Sequence, residues 1–170
     1  LKMVGFDRVD AYGRGGWDYA SLYGTQEDGT LFATEQLTVL SGNGHHAVAK
    51  GFERIDAFGR GGNDAAALHD STGNDAFYST PTHTALSTPT RLSYVKGFES
   101  TDVKFGLGGT DSVHYLGLTD QDAITATANS VQASRPGRIE KAEQVDRLFA
   151  AGLNFAADVD DFEGELEIGV

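Results

Sequence analysis

The sequence predicts an all-β fold, a parallel β-solenoid (β-helix) built from units of about 46 residues, and three observations predict it. Three segments align in register: GFDRVDAYGRGGWDYASL from Gly5, GFERIDAFGRGGNDAAAL from Gly51 and GFESTDVKFGLGGTDSVHYL from Gly97, starting 46 residues apart each time. Within a unit the apolar residues fall two apart, as with Val9 and Ala11 or Ala20 and Leu22, which is the period of a strand. Gly-rich or Asn/Asp-rich turns, GRGG at 13–16 and 59–62 and STGND at 71–75, separate these short stretches.

Element by element, the columns of the repeat read as strands facing a core. Phe6, Phe52 and Phe98 form one column; Val9, Ile55 and Thr101 another; Ala11, Ala57 and Val103 a third. After a one-residue insertion near Lys104, Ala20, Ala66 and Val113 align, as do Leu22, Leu68 and Tyr115, and further on Leu31, Phe77 and Ile124. This gives four strands per unit, wound as two coils, with like residues stacked between coils. A β-trefoil also uses three repeats of four strands and is the alternative, whereas three and a half propeller blades do not close a ring. Small inward alanines and the Gly-Gly corners favour the solenoid.

The chain reads as a single repeat domain over 1–170, with repeats at 4–49, 50–95 and 96–138 and a cap with an acidic tail at 139–170. In IEKAEQVDRLFAAGL (139–153) apolar residues are spaced three to four apart among good helix formers. A capping helix is expected there, with a fourth coil copying FERIDAFGRGG as the alternative. The tail FEGELEIGV alternates apolar and acidic residues, the pattern of an edge strand with its charges outward.

Composition narrows the function. With no Cys, disulfide frameworks and thiolate metal sites are excluded. A net charge of −12 argues against a nucleic-acid partner, which wants a basic stripe. Six acids (Asp158, Asp160, Asp161, Glu163, Glu165, Glu167) crowd the tail. No apolar run approaches the roughly 18 residues of a membrane span. The sequence begins at Leu1, so a segment of a longer chain is expected.

The strings GGND (61–64) and STGND (71–75), each followed by alternating apolar residues, resemble the hemolysin-type RTX nonapeptide. In that family Gly-rich turns hold calcium ions in a parallel β-roll. The resemblance implies calcium as a cofactor, with Asp18, Asp64, Asp75 and Asp111 as metal ligands. The pattern departs from the family in recurring after 11 residues where the RTX coil needs 9, and in having Gly29 at the position of Asp75. As a whole the 46-residue unit looks like repeats of large bacterial extracellular or cell-surface proteins. That similarity implies a non-catalytic structural or adhesive module.

Competing explanations exist for each feature. The Asp column fits Asx-type turns, in which a carboxylate accepts nearby N–H groups, as well as it fits calcium. Asp10, Asp56 and Asp102 form a second column expected on the outer face. His45, Arg91 and Arg138 align as a basic column on the solvent side, either a ridge for an anionic polysaccharide or a copied surface. Trp17, Tyr19, Tyr23 and Tyr78 break their columns and are the residues expected to bind a polysaccharide or cell-surface glycan, as in a carbohydrate-binding module attached to an enzyme. The third expectation is a β-helical polysaccharide lyase or hydrolase. Against it, no GxSxG, HExxH or P-loop occurs, and the acids are copied along the array where catalysis needs one unique constellation.

Overall fold

The computed structural model describes residues 7–169, and these form 18 strands and no helix. Unit one supplies β1 (Arg8–Tyr12), β2 (Tyr19–Tyr23), β3 (Gly29–Ala33), β4 (Leu37–Gly42) and β5 (His45–Lys50). Unit two supplies β6 (Arg54–Phe58), β7 (Ala65–His69), β8 (Ala76–Ser79), β9 (Thr84–Ser87) and β10 (Leu92–Lys96). Unit three supplies β11 (Ser100–Lys104), β12 (Ser112–Leu118), β13 (Ala123–Ala126), β14 (Ser130–Arg135) and β15 (Arg138–Glu143). The rest forms β16 (Arg147–Gly152), β17 (Ala156–Asp158) and β18 (Glu165–Gly169).

The strands make two sheets around a shared core. The first has ten strands in the order β1-β5-β4-β3-β7-β11-β15-β14-β13-β17; the second has eight, β18-β16-β12-β8-β9-β10-β6-β2. The chain is therefore an all-β solenoid, as the repeat predicts, and the trefoil does not form. Each unit holds five strands. Its first strand lies in one sheet, its second in the other, and its third returns to the first sheet three places further on. Strands four and five then run back antiparallel and parallel to fill the gap, so that β5 lies along β1, β10 along β6 and β15 along β11. This meander is absent from the sequence expectation of four strands.

One consequence is geometric. A unit crosses between sheets three times, an odd number, so successive units begin on opposite sheets: β1 and β11 in the first, β6 and β16 in the second. Neighbouring units are related by a half-turn about the long axis together with a translation. Two units advance each sheet by five strands, roughly 24 Å at the usual strand spacing. Residues aligned by the repeat are thus not stacked on one another. Ile55 sits beside Ala20 and Ser93, while its aligned counterpart Val9 pairs with Ala47 in the other sheet. For the same reason Phe52 and Phe98 line opposite edges, so no phenylalanine stack forms between them; Phe6 lies outside the described residues.

The core is built by the inward residues that the two-residue period identifies. Leu31, Ile55, Leu68, Phe77, Val113, Tyr115, Ile124 and Leu148 are all 2% exposed or less. Burying each such side chain is worth about 1.5–3 kcal/mol relative to leaving it in water. The expected helix over 139–153 is instead β15, a corner and β16. Ala142 pairs with Val103, and Leu148 with Val113, on strands already in place, and that packing outweighs helix propensity. The corner needs a left-handed residue. Gly51 (φ 69°) and Gly97 (φ 76°) supply it in units one and two, and Gln144 (φ 60°) in unit three. The acidic tail contributes β18, the expected edge strand, with Glu165 and Glu167 exposed, but the alternating Leu166 and Ile168 are exposed as well.

Candidate functional site

The expected metal ligands sit at the corners where the chain crosses between sheets. On one edge Asp75, Asp111 and Asp146 are successive rungs: the Asp75 amide donates to Asp111 Oδ1 at 2.9 Å, and the Asp111 amide to Asp146 Oδ2 at 2.7 Å. The Asp18 amide donates likewise to Glu53 Oε2 at 2.6 Å. On the opposite edge the Asp64 amide donates to Glu99 Oε2 at 2.6 Å. Three of these four acceptors reciprocate through the main chain: the amides of Glu53, Glu99 and Asp146 donate to the carbonyls of Asp18, Asp64 and Asp111. The carboxylates therefore tie one coil to the next. Within its own corner Asp75 also accepts from the Ser71 amide at 2.7 Å and the Ser71 hydroxyl at 2.9 Å.

Packing acids this way has an electrostatic cost. Burial, opposed by the Asp75 amide and reinforced by Asp75, Asp70 and Asp146, pushes the Asp111 carboxyl up to about 6. Burial also raises Asp75 and Asp64 above the ordinary carboxylate range. Asp64 Oδ2 is buried with no hydrogen-bond partner. Of the four expected ligands only Asp75 and Asp111 are brought together; Asp18 lies four strand steps away on the same edge and Asp64 on the other. Among the described residues no group of three or more His, Asp or Glu side chains is placed to hold a metal ion. A calcium ion wants six to eight oxygens. The acids here are arranged as acceptors for main-chain N–H groups.

The second acid column is divided between the sheets. Asp10 pairs with Arg8 at 3.1 Å and Asp56 with Arg54 at 2.9 Å, each within its own strand, while Asp102 stays exposed. The basic column is a correction to the expected solvent ridge. Arg91 is buried, with Nη1 donating to the Thr34 carbonyl at 2.7 Å and Nη2 to Thr38 Oγ1. Arg138 donates to the Thr80 carbonyl. Thr34 and Thr80 are equivalent positions in the hairpin turn after the third strand. In units two and three the arginine at the start of the fifth strand thus clamps the turn of the preceding unit.

Sequence reasoning missed one unrepeated cluster. Glu140, fully buried, lies 2.6 Å from Arg138 Nε and 3.7 Å from Arg135 Nε, and accepts from Ser79 Oγ at 2.6 Å; Asp122 lies 3.7 Å from Arg135 Nη1. Glu140 occupies the inward position held by Ala47 and Ser93 in units one and two, and that break in the column is the signal that identifies it. Burial raises the Glu140 pKa, with both arginines opposing. The cluster is sealed inside the rod. A surface groove of about 470 Å³ contains Glu35, His69, Asp70 and Lys104, but Asp70 is held by the amides of Gly106 and Leu107 at 2.7 and 2.9 Å.

The expected glycan-binding rings are dispersed. Tyr19 and Tyr23 share the outer face of β2, Trp17 projects from the preceding corner at 68% exposure, and Tyr78 stands on β8 four strands away. Tyr78 stacks on His114 (4.7 Å, 21°) and His114 on Phe149 (4.5 Å, 5°). Tyr23 stacks on Phe58 (4.9 Å, 13°). Rings stacked across adjacent strands turn their faces to one another and only their edges outward. Arg54 and Arg60 lie over the rings of Tyr19 and Tyr23. No helix among the described residues is long and apolar enough to cross a membrane. No protein-family model matches this chain, and comparison with curated proteins and with solved structures finds no match.

Proposed function

We propose that the chain is a non-catalytic structural module, a rigid repeat rod that spaces or displays other parts of an extracellular or cell-surface protein. One observation carries this reading: the corner acids Glu53, Glu99, Asp111 and Asp146 each accept a main-chain N–H of the neighbouring coil. Such residues hold coils together and are not left free for a substrate. The burial of the unrepeated ion cluster around Glu140 supports the same reading, since a lyase or hydrolase would present such a cluster in a groove. Sixteen strand pairings stiffen the rod along its axis.

Calcium is the competing explanation of the corners, favoured by the unpartnered Asp64 Oδ2. Thermal unfolding in EDTA and in millimolar calcium separates the two, because ligand-free ladders give the same melting temperature in both. A glycan partner is a second reading, resting on Trp17, which has no ring or cation partner among the described residues. Titration of the chain and of Trp17→Ala against a polysaccharide panel, read by tryptophan and tyrosine fluorescence, tests it. Saturable binding lost in Trp17→Ala would replace the purely structural reading.

A further inference from the structure

In each complete unit the strand beside the first strand is the unit's own fifth strand, always parallel. Beside β16 that slot holds β18, also parallel and in the same register. Arg147 sits opposite Glu165, as Arg8, Arg54 and Ser100 sit opposite His46, Leu92 and Ile139. β18 thus stands in for a fifth strand, and it fits the slot incompletely. Leu166 and Ile168 pair with Leu148 and Ala150, which are 0% and 2% exposed, yet they are themselves 40% and 48% exposed. All three residues of β17 are exposed, whereas the second strands β7 and β12 bury Ala66, Leu68, Val113 and Tyr115.

The arginine clamp shows the same vacancy of function. The register places Gly164 where Arg91 and Arg138 stand in units two and three, and His45 in unit one. The turn that such an arginine would hold begins at Thr127, whose amide donates to the Ser130 carbonyl just as Thr34 donates to Leu37 and Thr80 to His83. No arginine reaches the Thr127 carbonyl among the described residues.

We propose that the end face formed by β16, β17 and the Thr127–Ser130 turn is a docking site for the meander of strands three to five from a further copy of this repeat unit, with β18 as its displaceable occupant. The interface between units one and two, repeated between two and three, specifies what fits. The incoming fifth strand pairs parallel with β16, sets its two inward residues (Ser93 and Val95 in unit two) over Leu148 and Ala150, and places an arginine on the Thr127 carbonyl. The inference takes its unit geometry from the repeat-rod reading but does not depend on what the rod carries.

The test is a chimera in which residues 70–96, the corner and meander of unit two, replace residues 159–170 after β17. It should unfold in a single transition more than about 4 °C above the parent, an added stability of at least about 1 kcal/mol for a chain of this size. Changing the grafted counterpart of Arg91 to Ala should remove most of the gain. A melting temperature at or below the parent's, or a separate low-temperature transition, overturns the proposal. Independently, a labelled peptide of residues 70–96 should bind saturably to the full chain carrying Leu166→Asp and Ile168→Asp, and at least tenfold more weakly to the unaltered chain, where β18 competes. No saturable binding to either also overturns it. Neither failure touches the rod reading, which the parent's response to calcium tests separately.

Discussion

The amide of Asp75 donates to the carboxylate of Asp111 at 2.9 Å across two coils of the rod, so one buried acid is held by the main chain of another. The pair works because Asp111 passes its own amide on to Asp146, and the Asp146 amide donates back to the Asp111 carbonyl, so every N–H of the three rungs has an acceptor. The ladder needs an oxygen at position 111 and gains nothing from its charge.

That distinction makes the first prediction. Asp111→Asn keeps an acceptor for the Asp75 amide and removes the repulsion that Asp70, Asp75 and Asp146 exert on this position, so its stability at pH 7 should equal or exceed that of the parent. Asp111→Ala strands a buried N–H and should lose about 1–3 kcal/mol in urea unfolding. The pH dependence has a definite sign. The folded chain holds the Asp111 proton up to about pH 6, above the ordinary value of 3.8, so that proton's contribution to stability is full below the ordinary value and is lost as pH rises through 6. Buried Asp64, Asp75 and Glu140 shift in the same direction. Melting temperature should climb as pH falls from 7 toward 5, with a shallower slope in Asp111→Asn.

Two glycine pairs set how closely the coils approach. A methyl group on Gly13 would overlap the Gly51 carbonyl, and one on Gly59 the Gly97 carbonyl, whereas on Gly106 it would meet only the side-chain end of Gln144. Gly13→Ala and Gly59→Ala should each cost about 1–3 kcal/mol or more, because main chain must move. Gly106→Ala should cost distinctly less. Equal losses at all three positions would contradict this account of the corners.

Gln144 holds a left-handed conformation that Gly51 and Gly97 hold in the other units. An L-residue pays about 1–2 kcal/mol for that conformation. Gln144→Gly should therefore raise the urea midpoint, and Gly97→Ala should lower it.

Within the Glu140 cluster, Glu140→Leu leaves Arg135 and Arg138 buried and facing each other, and should cost about 3–5 kcal/mol. A triple variant that also replaces both arginines with Leu should recover much of that loss. If the single change proves neutral, the cluster is not holding the third meander against Ser79.

The fold class was legible because alternation of apolar residues and the GRGG corners both report on local geometry, and local geometry survives any winding. The half-turn between successive units was not. Whether Val9 lies over Ile55 depends on how many times the chain crosses between sheets, and Thr34–Leu37 gives no local sign that the strand after it turns back within the same sheet. Arg91 misled for a related reason: an arginine opening a strand reads as solvent-facing, and only the carbonyl of Thr34, 57 residues earlier, explains its burial. Over 139–153 the spacing of Ala142, Val145 and Leu148 suits a helix in isolation. Open edges at β11 and β12 decide otherwise. At the corners the choice of acids was readable from Asp18, Asp64 and Asp111, but their partners 35 and 36 residues away, the Glu53 and Glu99 carboxylates and the Asp75 amide, were not.

The most direct test of the structural reading is thermal unfolding of the unaltered chain in EDTA and in millimolar calcium. If the corner carboxylates are acceptors for main-chain amides, the two curves superimpose. A calcium site occupied at a hundred times its dissociation constant would add about 2.7 kcal/mol and a clear rise in melting temperature. Such a rise, abolished in Asp111→Asn, would contradict the account and make the ladders metal sites.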